Sequence, residues 1–99
     1  MSKLTEKYDK MYNMIEVSVV HKAFRKEAKK VAQVWVDKNL TLNQMLDKAF
    51  MLTNSIDDAW WNNKDVVCLE KTRSTMSGDQ VIIKGHTYEC MDRGWRTLG

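Results

Sequence analysis

Two histidines, His21 and His86, and two cysteines, Cys68 and Cys90, are the side chains of this sequence best suited to covalent or metal chemistry. A nucleophile needs a base within reach, and that base is most often histidine. His21 opens the basic stretch HKAFRKEAKK (21–30), and His86 lies in a GH pair between two short apolar runs. Neither has a carboxylate at a spacing that would orient its ring. Neither cysteine has a second cysteine or a histidine at metal-ligand spacing, so both read as buried free thiols. Asp57 and Asp58 are adjacent; on a helix they diverge, and they read as solvated charges. The chain has no phosphate-binding glycine loop. The expectation is a non-enzyme with no catalytic residues, no metal and no cofactor.

Binding is the chemistry that remains. Lys22, Arg25, Lys26, Lys29 and Lys30 cluster in the basic stretch. On a helix they would lie mostly opposite Phe24, Ala28 and Val31. Such a stripe is either a solvated face with Glu27 interleaved or a surface for an anionic partner: nucleic acid, a nucleotide phosphate or an acidic protein. Nucleic-acid sites add exposed aromatics for stacking. With Phe24 on the inward side, this stretch offers none, which weighs against nucleic acid. A second set of candidates is aromatic. Trp60 shares a helical face with Ile56, whereas Trp61 is rotated from it by roughly 100°. Trp61 either covers the junction with the following segment or anchors a partner. Tyr8 and Tyr12, with Met11, Met14 and Ile15, put apolar groups on more than one side of the first segment. They are candidate anchors, and the surplus apolar surface predicts a homo-oligomer.

The elements that would position these residues follow from periodicity. Residues 5–38 carry apolar side chains at helical spacing (Val20, Phe24, Ala28, Val31, Trp35), with a break expected around the β-branched VSVV (17–20). In LTLNQM (40–45), Thr41 and Gln44 form a capping box and Leu40 and Met45 a hydrophobic staple, opening a second helix. The short link at 38–40 makes the two helices an antiparallel hairpin. From Asp65 the period changes to two. DVVCLEK (65–71), QVIIK (80–84), TYECM (87–91) and WRTL (95–98) read as strands separated by turns, with Val66, Cys68, Val81, Ile83, Tyr88 and Cys90 facing inward. The predicted fold is α+β in one domain, residues 1–99: an antiparallel helical hairpin (1–63) followed by a small C-terminal antiparallel β-meander (64–99). Composition agrees with a globular chain: 43% hydrophobic, 29% charged, net charge +3. No apolar run is long enough to span a bilayer, and the polar N-terminus does not read as a secretory signal. A cytoplasmic protein without a membrane partner is expected.

FRKEAKKVAQVWV (24–36) and TLNQMLDKAFMLTNSI (41–56) resemble the helical hairpin of small phage proteins that sequester cyclic-nucleotide signals of bacterial antiviral defence, the anti-CBASS sponges and their anti-Thoeris relatives. Arg25, Ala28 and Ala32 carry the resemblance in the first segment. Thr41, Leu42, Leu46, Ala49, Met51, Asn54 and Ile56 carry it in the second. The segment 65–98 has no counterpart in that hairpin, and no ligand-contacting residue can be carried over. The resemblance implies a phage-type counter-defence protein that oligomerises through helices and acts by binding in the bacterial host cytoplasm. The functional expectation is a small accessory protein that binds and inhibits or sequesters a host factor, either a defence protein or its nucleotide signal. The alternative is a nucleic-acid-binding regulator that uses the basic face at Lys22–Lys30.

Overall fold

The valines of MIEVSVVH and KKVAQVWVD settle the architecture. Val17 and Val19, like Val34 and Val36, recur with a period of two, and β-branched side chains pack best on a pleated surface. The computed structural model, which describes residues 13–55 and 58–98, places both segments in strands, β1 (Met14–His21) and β2 (Lys29–Asp37). The helix α1 (Leu42–Leu52) follows, then a 3-10 turn (Trp60–Asn62), then β3 (Val66–Cys68), β4 (Gln80–Ile83), β5 (His86–Cys90) and β6 (Trp95–Thr97). The strands form one antiparallel sheet in the order β3-β2-β1-β4-β5-β6.

This overturns the helical hairpin. Residues 14–37 are a β-hairpin, and the link at 38–40 joins a strand to a helix. Nor does the chain divide at residue 63 into a helical part and a meander. β3 pairs with β2, and β4 pairs with β1, so the long N-terminal hairpin forms the middle of the sheet. The expected anchors Tyr8 and Tyr12 lie outside the described residues, as do Ile56 and Asp57.

One face of the sheet carries Val17, Val19, Ala32, Val34, Val36, Val81 and Tyr88, all buried, and α1 covers it with Met45, Leu46 and Ala49. A register shift between Val19 and Val20 lets the consecutive residues Val31 and Ala32 both be fully buried. The helix starts as its sequence dictates. The Thr41 hydroxyl accepts from Gln44 N–H, and the Gln44 side chain accepts from Thr41 N–H. It stops at Thr53, whose hydroxyl donates to the Ala49 carbonyl at 2.8 Å. Among the described residues, no helix is long and apolar enough to cross a membrane.

Candidate functional site

The strands β1, β2 and β4 end together, and two loops meet there: 22–28 after β1 and 69–79 before β4. Asp79 joins them. Its side chain is fully buried, and it accepts five hydrogen bonds. Oδ1 takes the backbone N–H groups of Lys22 (2.9 Å) and Ala23 (3.0 Å). Oδ2 takes Met76 N–H (2.9 Å), and the Arg73 guanidinium reaches both oxygens at 2.6 and 3.0 Å. Arg73 also donates to the carbonyls of Ala23 and Ser74. Burial alone would push the Asp79 carboxyl up. Arg73 and the three backbone N–H donors outweigh that and hold it below the usual range. The same contact raises the Arg73 guanidinium. A buried carboxylate satisfied in this way fixes the backbone on both sides of it.

What it fixes is a pair of turns in contact. In residues 76–79, Asp79 N–H donates to the Met76 carbonyl and Gly78 adopts φ +97°. Residues 22–25 repeat the pattern: Arg25 N–H donates to the Lys22 carbonyl at 3.0 Å, and Phe24 adopts φ +61°. Both are type II turns, whose third position favours glycine. A Cβ on Gly78 would come within 3.1 Å of the Ala23 Cβ, so one turn is seated on the other. The first turn has phenylalanine where glycine belongs, and that phenylalanine is 93% exposed. Its backbone strain costs on the order of 1 kcal/mol, and its ring buries almost nothing in return. Among the described residues the other non-glycine with positive φ, Lys84, has a structural reason: with Gly85 it makes the two-residue turn between β4 and β5. Phe24 has none within the fold. A strained, displayed aromatic points to function.

The residues around Phe24 give the site its sign. Arg25 and Lys29 both reach Glu70, at 3.4 and 3.2 Å, and the two cations hold the Glu70 carboxyl low. They tie the loop to the segment after β3. Lys22, Lys26 and Lys30 are exposed and form no ion pair among the described residues. The five basic residues singled out in the sequence therefore divide into Arg25 and Lys29, which brace the loop, and Lys22 and Lys26 in the loop with Lys30 at the start of β2, which stay unpaired among the described residues. The residue missed was Phe24. Read on helical spacing it belongs to a core stripe. In the structure it stands at the centre of the basic loop.

Beneath the loop, His21, Asp79 and Thr75 are the residue types of a nucleophilic triad, but their geometry excludes that chemistry. All three are buried. Thr75 Oγ1 at 3.0 Å and Asp79 Oδ2 at 3.8 Å both face the same ring nitrogen, Nε2, whereas a relay needs one partner on each nitrogen. The hydroxyls set the tautomer instead. Thr53 donates to the Ala49 carbonyl, Thr75 donates to Thr53 at 2.7 Å, and His21 Nε2–H therefore donates to Thr75. Nδ1 is left as a buried acceptor without a partner among the described residues. Burial holds the His21 pKa below its ordinary value. Asp79 opposes that shift, and the nearby Arg73 and Arg25 reinforce it. The chain is a neutral polar strut between β1, the loop 69–79 and the end of α1.

Comparison with protein-family models, curated proteins and solved structures finds no significant match. The site therefore stands on its own geometry. Of the expected anchors, Trp61 is partly buried: its ring packs edge-on against Trp60 at 5.5 Å, and Lys71 Nζ sits 5.9 Å from its centroid. Trp60 is wholly buried and donates from Nε1 to the Thr72 carbonyl. The paired tryptophans thus serve the junction between α1 and β3. Among the described residues no group of three histidine, cysteine or acidic side chains could hold a metal ion. Cys68 and Cys90 are free thiols.

Proposed function

We propose that this protein is a non-enzymatic binding module for single-stranded nucleic acid, with Phe24 as the stacking platform and Lys22, Lys26 and Lys30 as phosphate contacts. The observation that carries this reading is the conformation of Phe24: positive φ, 93% exposure and a turn anchored by the buried Asp79 carboxylate, itself paired with Arg73. Every base has a π-face, so one aromatic flanked by cations binds strands without demanding a sequence. A rigid loop keeps the ordering cost of such a contact low. Phe24 supplies the outward aromatic that stacking on a base requires. The reading as an inhibitor docked on a host protein through Trp61 lacks a freely exposed indole.

The test is a salt titration of binding to a fluorescent oligothymidylate. Three phosphate contacts on a single strand give a slope of about −2 in log affinity against log salt. Replacing Lys22, Lys26 and Lys30 together by glutamine should flatten that slope and leave the melting temperature near that of the parent protein, because all three side chains are exposed. A protein that captures no oligonucleotide even at low salt would overturn the reading and favour a host-protein target for the loop.

A further inference from the structure

A second site lies between α1 and the turn from β5 to β6. Asp47 and Phe50, one helical turn apart on α1, face Cys90, Met91, Asp92, Gly94 and Trp95 across an open cleft of about 200 Å³. Its walls are built. Trp95 Nε1–H donates to Asp47 Oδ1 at 3.0 Å, and the Trp95 and Phe50 rings meet edge to face, centroids 6.5 Å apart and planes at 83°. The turn is closed by Met91 N–H donating to the Gly94 carbonyl. Among the described residues no lysine, arginine or histidine lines the cleft, although the chain carries a net charge of +3.

We infer that this cleft binds a single alkylammonium group, the side-chain head of a lysine on a partner protein. The edge-to-face pair of Phe50 and Trp95 supplies aromatic wall that attracts a cation through the ring quadrupole, and the carboxylates of Asp47 and Asp92 supply the opposite charge. Asp47 has one oxygen committed to Trp95 and one left over, which suits a point charge with rotatable donors better than the two-pronged fork of a guanidinium. The volume is below that of sites for drug-sized ligands and fits a head group with its last methylenes. A polyamine would need further acids along its length, and among the described residues none besides Asp47 and Asp92 lines the cleft. Burial pushes the Cys90 thiol up, and the carboxylates of Asp79, Asp47 and Asp92 push it further.

The probe is Nα-acetyl-lysine methylamide, with the neutral norleucine analogue as control, titrated into the full chain. The signal is the indole N–H resonance of Trp95, assigned by its loss in Trp95→Phe. A saturable shift with the lysine amide is expected, with the norleucine analogue weaker by on the order of tenfold. Asp92→Asn, at an exposed turn position, should weaken the lysine amide severalfold and leave the melting temperature in place. Equal shifts from both probes, no shift at all, or indifference to Asp92→Asn would overturn the inference.

Discussion

Phe24 sets the account apart at the scale of single residues, because its side chain opposes the fold. Glycine adopts φ near +60° without penalty, so Phe24→Gly should stabilise the protein by about 1 kcal/mol. For a chain of this length that is a rise in melting temperature of roughly 4–8 °C, measurable by calorimetry. Asp79 is the opposite case. Asp79→Ala leaves three backbone N–H groups and Arg73 without their acceptor, and should cost about 3–5 kcal/mol in urea unfolding. His21 and Asp79 also give stability an acid dependence with a fixed order. In the unfolded chain a histidine titrates near pH 6.5; in the fold His21 is held lower by burial. Its contribution is complete above about pH 6.5 and is lost as pH falls through the lower folded value. Asp79, also held low, keeps its contribution until pH drops below the unfolded carboxylate value of about 3.9. Urea midpoints should therefore decline as pH falls below about 6.5 and again below about 3.9. His21→Gln, which keeps a donor for Thr75, should remove the first decline alone; an unchanged first decline would assign it to other groups.

At the scale of elements, local signals were legible and periodic ones misled. The capping box of Thr41 and Gln44 depends on residues three apart and appears as read. Thr41→Ala should cost about 1 kcal/mol of stability, seen as a shift in the unfolding midpoint. The strands β4, β5 and β6 fall where turn residues mark them, among them Gly78, Gly85 and Gly94. Residues 14–37 defeated the reading for two physical reasons. The register shift in β1 and β2 puts Val31 and Ala32 both inward, which breaks the alternation that would have announced a strand. The turn between the strands holds phenylalanine at its glycine position, so nothing punctuated it. Val20, Phe24, Ala28, Val31 and Trp35 then fell on helical spacing, although Phe24 and Ala28 are exposed loop residues. The signal that hid the hairpin is the feature that makes the candidate site. A positive φ cannot be read from residue types when the residue adopting it is phenylalanine.

At the scale of the whole molecule, charge is arranged rather than spread. The basic loop with Lys22 and Lys26, continued by Lys30 at the start of β2, is braced by Arg25 and Lys29 on Glu70, and a carboxylate-lined cleft lies between α1 and the β5–β6 turn. Opposite polarities on one small sheet suit a protein that holds a polyanion at one place and a cationic partner at another. The central claim is narrower: that the ring of Phe24, and not merely its bulk or the charge beside it, holds the ligand. The most direct measurement compares oligothymidylate affinity at fixed low salt for the parent protein, Phe24→Tyr and Phe24→Leu. Tyrosine keeps a π-face; leucine keeps apolar volume and the same strained backbone. Phe24→Tyr should bind as the parent does, and Phe24→Leu should lose about 1–3 kcal/mol, the value of one stacked base. Equal affinity for Phe24→Leu and the parent protein would contradict it.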